Sequence, residues 1–282
     1  MTFPPSMPRP TRPRPVAPRL WTGIAAGSAI ALATAPALAQ GLVAPPATPE
    51  KAAPGMVWLA QAEGGEGGEA GAIAGADANV AYLAQLAIVE GHLVAALDLY
   101  RKGMVDEAVG LSWHPEAEMM EEVRANLAAR GVPDVTPAMA AFSAAMEAKA
   151  PLAEVETALA AVQTAFATAA AAGPDDLRAR ADALALLVRA AAHEYDESIE
   201  NTRVTDPYAY HEAAAFVMVA RRQAEALATD PAAAAQASKA LAALQDAGEA
   251  FGDLSAPTLE ARDPAILLAV AARVELALSS VR

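Results

Sequence analysis

Four times between residues 136 and 264 the chain sets a capping side chain directly before a proline: Thr136-Pro137, Asp206-Pro207, Asp230-Pro231 and Asp263-Pro264. An oxygen at the first position can accept from amides that the opening turn of a helix leaves unpaired. The proline that follows already has a helical φ and lacks only an N–H which that turn does not use. Each pair leads into a stretch rich in alanine and leucine, with no alternating run of strand length. The pairs therefore predict helix starts, for helices over 137–149, 207–229, 231–247 and 264–279. Asp77 predicts a further helix over 78–102, and Pro151 one that reaches Ala172. The Gly173-Pro174-Asp175-Asp176 break leads into a long helix over 176–201. Two shorter helices, 105–113 and 115–130, complete a set of about nine. Short connections between them predict an all-α fold, either a helical bundle or stacked antiparallel helical hairpins.

The segment before this region has a different character. Residues 1–20 contain Arg9, Arg12, Arg14 and Arg19 and no acid; an uncharged, mostly apolar run follows and ends in Ala37-Leu38-Ala39 ahead of Gln40. A basic region, an apolar region and an A-x-A site are the marks of a secretory signal, so residues 1–39 are expected to be removed. The apolar run is short for a membrane span. The mature protein is thus expected to begin at Gln40, not to be membrane-embedded, and to work in the periplasm. Residues 40–76, with APPATPEKAAPG and EGGEGGEAGAIAG, read as a flexible Gly/Pro/Ala-rich leader. The remaining 77–282 is expected to form a single all-helical domain, with two subdomains meeting near 150–175 as the alternative.

Charge and cysteine content narrow the chemistry. The whole chain carries −14, and removing the signal's four arginines leaves 16 basic against 34 acidic residues, or −18. Such a surface repels nucleic acid and anionic lipid and attracts cations. With no cysteine in the chain, disulfide staples and thiolate ligands are excluded. There is also no G-x-S-x-G elbow, H-E-x-x-H pair or C-x-x-C-H haem attachment site, and the glycines at 64–75 lie among acids rather than in a phosphate loop. An enzyme is not expected.

Histidine is the scarce residue. Its four occurrences, His92, His114, His193 and His211, each lie near acids or aromatics, and each half of the set is divided between a long helix and the element that follows. His114, Glu118 and Glu121 have 0, +4, +7 spacing, as do His193, Glu197 and Glu200. In a continuous helix such spacing lines one side. Imidazoles and carboxylates one turn apart, on facing helices, are how bundles build metal sites. Without thiolates, this donor set suits copper, iron or zinc. Met104, Met119, Met120 and Met218 are candidate thioether ligands for copper(I). The expected ligands are His92 and His114 with Glu118 or Glu121, and His193 and His211 with Glu197, in one site or two. The ordinary alternatives are a satisfied core histidine at His92 and solvated acidic faces elsewhere. Gly91, beside His92, is expected to let another backbone approach closely. Gly91-His92-Leu93 continuing to Gly103 reads as one helical hairpin of tetratricopeptide type, with no second copy at 34-residue spacing.

Two segments carry a resemblance. Residues 86–131, with the pattern G-H-L, L-Y, G, A, H-P and E, resemble uncharacterised exported helical proteins of bacteria. Residues 187–227 resemble the helical extracytoplasmic domains fused to some iron permeases of the FTR1 type, through Glu194, Tyr195, Tyr210, Ala214, Phe216 and Ala220. The resemblance implies a periplasmic accessory protein of metal handling, with iron or copper as the natural cargo. The R-E-x-x-E motif of the permease itself is absent, so transport is not implied. The expected function is capture or delivery of a transition metal, with an envelope protein or metal transporter as partner. The alternative is a non-catalytic interaction or scaffold protein of the cell envelope, which would show an exposed apolar patch and histidines pointing apart.

Overall fold

The computed structural model describes residues 68–173 and 176–282, and these fall within one compact unit, 58–282. The expected signal, 1–39, lies outside the described residues, as does the leader as far as residue 67. The last part of that leader is ordered helix: α1 spans Gly68–Ile73.

The described residues are almost wholly helical. After α1 come α2 (Ala78–Arg101), α3 (Val105–Ser112), α4 (His114–Glu118), α5 (Met120–Ala129), α6 (Thr136–Glu147), α7 (Leu152–Ala171), α8 (Leu177–Glu197), α9 (Pro207–Ala228), α10 (Ala234–Asp246) and α11 (Ala265–Leu278). A 3-10 turn, Ala247–Ala250, follows α10, and a two-residue antiparallel ladder, Ile199–Glu200 with Arg203–Val204, joins α8 to α9.

The capping logic accounts for most boundaries. Asp77, Asp176 and Asp206 cap α2, α8 and α9, with Asp206 accepting from the amides of both Tyr208 and Ala209. Asp263 accepts from the amide of Ala265. Thr136 does not act as its helix's cap; the oxygen is Asp134 Oδ1, which accepts from both the amide and the hydroxyl of Thr136. Two predicted helices are interrupted. Met119, at φ −141°, divides 115–130 into α4 and α5. The helix predicted over 176–201 stops at Glu197, where the chain enters the short ladder and Asn201 and Thr202 take positive φ.

The central element is α2. It is long and apolar enough to cross a membrane, but most of it is buried inside this unit. It packs against α3, α7, α8 and α9, which is why leucines are needed around its circumference. Helices α8, α9, α10 and α11 form a four-helix arrangement beside it. Its tyrosines settle their hydroxyls on loop backbone. Tyr195 donates to the carbonyl of Ala250 and accepts from the amide of Arg262; Tyr210 donates to Glu260 and accepts from Gly252. The two rings and Phe251 pack with centroids 5.2–5.5 Å apart, so the 251–263 connection is tied down at several points.

Gly103, at φ +78°, makes the turn from α2 to α3. Gly91 admits a close approach of a different kind from the one expected: an aromatic side chain, not a backbone. A Cβ at Gly91 would lie 2.2 Å from Cδ1 of Phe216, and that ring stacks on His92 at 5.4 Å with an interplanar angle of 14°. Gly91→Ala is expected to lower stability by about 1–3 kcal/mol, the usual cost of overfilling a packed core. Urea unfolding followed by circular dichroism measures this; an unchanged midpoint would show that Phe216 moves aside freely.

Candidate metal centre

Four features of the fold converge on one end of the α8–α9 hairpin. The tight ladder sets Glu194, His193 and Glu197, at the end of α8, near Asp206 and Glu212, at the start of α9. Helix α2 delivers His92 to the same place, and α4 delivers His114 and Glu118. The ordered end of the leader brings in Glu69.

His92 is at the centre, with 1% of its side chain exposed. Its Nε2 lies 3.0 Å from Glu69 Oε1 and 3.3 Å from Glu118 Oε2. Its Nδ1 is buried without a hydrogen-bond partner among the described residues and faces Glu212 Oε1 at 3.7 Å. His114 meets His92 edge-on, with centroids 6.3 Å apart, and its Nδ1 donates to Glu212 Oε1 at 3.2 Å. Ligand atoms of Glu69, His92 and Glu118 lie within 4.8 Å of one another, as do those of His193, Glu194 and Glu197. His114, Glu118, Glu194, Glu197, Asp206 and Glu212 help to line a cleft of about 440 Å³ that opens the cluster to solvent.

Protonation follows from this crowding. Burial pushes the Glu69 carboxyl well above the usual carboxylate range, and the facing charges of Glu194, Glu212 and Glu118 add to the effect. Burial, then the carboxylates of Glu212, Glu197, Glu118 and Asp206, push Glu194 up to about 8. Burial holds His92 below the ordinary imidazole value, so it is neutral and has a lone pair to offer. The hydrogen bond to Glu212 raises His114 despite its partial burial. Burial opposes ionisation of Glu212, but the imidazoles of His92 and His114 outweigh it and hold this carboxyl below the usual range.

The sequence-predicted ligands divide. His92, His114 and Glu118 come together, and His193 and Glu197 lie 3.4 Å apart on α8. Glu121 does not join them: the break at Met119 ends the continuous helix that the 0, +4, +7 spacing requires, and Glu121 is exposed on α5. Glu200 is lost from the other series in the same way, because α8 ends at Glu197. His211 does not pair with His193. It is buried, and burial together with the nearby Lys102 ammonium lowers it to about 4, with Asp98 also facing it. Successive residues on a helix point about 100° apart, and on α9 it is Glu212 that faces His92 and His114.

Glu69, Glu194 and Glu212 are the cluster residues that the sequence reading missed. Glu212 had a usable signal, since it is the sole charged residue in the run YAYHEAAAFVMVA and so has little choice but to be buried. Glu194 was passed over for the carboxylate one turn after His193. Glu69 carries no signal at all among the glycines around it.

Residues 173–281 match the family model described as the iron permease-associated 4-helix bundle domain. The carboxy-terminal part of the chain therefore carries such a domain. Helices α8 to α11 are its four helices, and the match contains the Glu194–Ala220 pattern read from the sequence. No curated protein and no solved structure matches the chain. The metal-competent cluster straddles the boundary of the match: His193, Glu194, Glu197 and Glu212 lie inside it, and Glu69, His92, His114 and Glu118 lie outside.

The raised groups set a pH dependence for the metal-free protein. An acid whose folded pKa exceeds its unfolded value destabilises the fold once pH passes the unfolded value, progressively up to the folded one. Glu194 (to about 8) and Glu69 act in this direction, and so does His114, whose raised value means stability lost as pH rises. The lowered His92 and His211 act oppositely, but only below their ordinary 6.5. Between pH 6.5 and 8 the metal-free melting temperature is thus expected to fall, and to fall less steeply in Glu194→Gln. Thermal melts in chelator across that range check it; a flat or rising wild-type profile contradicts the assignment.

Proposed function

We propose that the protein captures or delivers a transition metal in the periplasm, with iron as the favoured cargo. The observation that carries this reading is the buried His92: a neutral imidazole whose Nδ1 has no hydrogen-bond partner among the described residues, set among carboxylates on three other helices. A buried polar atom without a partner costs free energy unless something else satisfies it, and a cation coordinated by imidazole and carboxylate would do so. It would also offset the burial and the mutual repulsion that raise the carboxyls of Glu69 and Glu194.

The donor set is mostly oxygen with two or three imidazoles and no thiolate, which suits iron or zinc better than copper(I). Met218, one of the candidate thioethers, is 49% exposed, and Met120 is fully buried in the core. The description of the matched domain as iron permease-associated favours iron within this group. A binding role rather than a catalytic one agrees with that description and with the absence of cysteine. The envelope scaffold alternative expected histidines pointing apart, whereas His92 and His114 converge.

Titration of the metal-free mature protein with iron(II) under anaerobic conditions, followed by calorimetry, is expected to give saturable binding. His92→Ala should weaken it at least tenfold while leaving the helical circular dichroism unchanged. Binding no tighter in wild type than in the variant would defeat the proposal. The periplasmic part has its own check: amino-terminal sequencing of protein from the envelope fraction is expected to begin at Gln40, and retention of residues 1–39 would contradict it.

A further inference from the structure

The cluster holds more ligands than one ion can use. Five glutamates (Glu69, Glu118, Glu194, Glu197 and Glu212) and three histidines (His92, His114 and His193) contribute. They form two groups: Glu69, His92 and Glu118 on one side, His193, Glu194 and Glu197 on the other, each with its ligand atoms within 4.8 Å. Resting on the metal-binding reading above, we infer that this is a two-cation centre, one divalent ion in each group, with Glu194 and Glu212 between them.

Charge supports two ions over one. Among the described residues the ion-pair partners of Glu69, Glu197 and Glu212 are imidazoles, with no lysine or arginine among them. The carboxylates whose partners are imidazoles would be compensated more fully by two divalent ions than by one. Low-dielectric surroundings make that difference costly. Placement supports it as well. Glu194 belongs to the second group by distance, and it lines the same cleft as Glu118 and Glu212. Glu212 has one oxygen directed at both His92 Nδ1 and His114 Nδ1. Carboxylates so shared are suited to bridging two ions, which in such centres stand ~3.5–4 Å apart. The buried Nδ1 of His92, without a hydrogen-bond partner among the described residues, faces Glu212.

The second group is the more accessible, with about a third of His193 and of Glu197 exposed. Ions would therefore enter through the cleft that Glu194 and Glu197 help to line, and the ion beside His92 would be the more enclosed.

Equilibrium dialysis of the full mature protein against cobalt(II), with electron paramagnetic resonance at each loading, tests this. Two equivalents are expected, with the high-spin signal growing up to one equivalent and falling toward the second as neighbouring spins couple. His193→Ala and Glu197→Gln, both at partly exposed positions, are expected to hold one equivalent and an uncoupled signal, with the affinity for that equivalent within about threefold of wild type. One equivalent in wild type would overturn the two-cation inference and leave the metal-binding proposal standing. Two equivalents with additive, uncoupled signals would also overturn it, by showing two independent sites. No binding at all would overturn the metal-binding proposal itself.

Discussion

The contact between Phe216 and Gly91 sets how close α9 comes to α2, and the metal-competent cluster depends on that distance. The ring of Phe216 occupies the space where any other residue at 91 would carry its Cβ, and it lies flat against the His92 imidazole. With α9 held there, Glu212, one turn before Phe216, faces Nδ1 of His92. A wider separation would leave His92 as an ordinary core histidine free to choose a backbone carbonyl. The stacked ring also excludes water from one side of His92, so burial keeps the imidazole neutral. Packing and ligand chemistry are therefore one constraint, fixed by a residue that has no side chain.

Around that fixed point the electrostatics are unbalanced. A folded protein ordinarily keeps glutamates apart or pairs them with cations, because burying like charges together is costly. Here Glu69, Glu194 and Glu212 are gathered with His92 and His114, and burial together with this crowding pushes Glu69 and Glu194 above the usual carboxylate range. Outside the cluster a buried acid is paired conventionally. Glu90, also in α2 and also largely buried, is matched by Arg222 at 2.6 Å. By contrast, among the described residues the ion-pair partners of Glu69, Glu197 and Glu212 are imidazoles.

The helical architecture was legible because its signals are local. Capping oxygens and prolines act within one turn, and Asp77, Asp206 and Asp263 hold the amides that the sequence implies. Where the reading went astray, the cause was a break in helix continuity or a choice of helix face. The spacing of Glu121 from His114 has meaning only in an unbroken helix, and Met119 breaks it. His211 and Glu212 are equally plausible ligands by composition, and only the packing of α9 on α2 decides that Glu212 faces the cluster while His211 meets Lys102 and Asp98. Glu69 was illegible for a further reason: its six-residue helix lies among glycines, and its position depends on packing against α8, not on propensity. The aromatic residues of the iron-permease-like pattern were visible, but their part is structural. Tyr195 and Tyr210 anchor the 251–263 connection, and Phe216 sets the helix spacing.

The division of ligands across the matched domain bears on how such a bundle acquires a function. Taken alone, α8 to α11 would present His193, Glu194, Glu197 and Glu212: one imidazole and three carboxylates on two helices, with the cleft open on one side. The preceding helices add the two imidazoles nearest Glu212, and they add Glu69 from a segment ordered against α8. They also turn an exposed acidic face into an enclosed one, which raises the cost of leaving its charge uncompensated and so sharpens the preference for a bound cation. The four-helix part thus supplies mostly carboxylates, and the amino-terminal helices supply two further imidazoles and the enclosure, a donor set better suited to transition metals than to alkaline-earth ions.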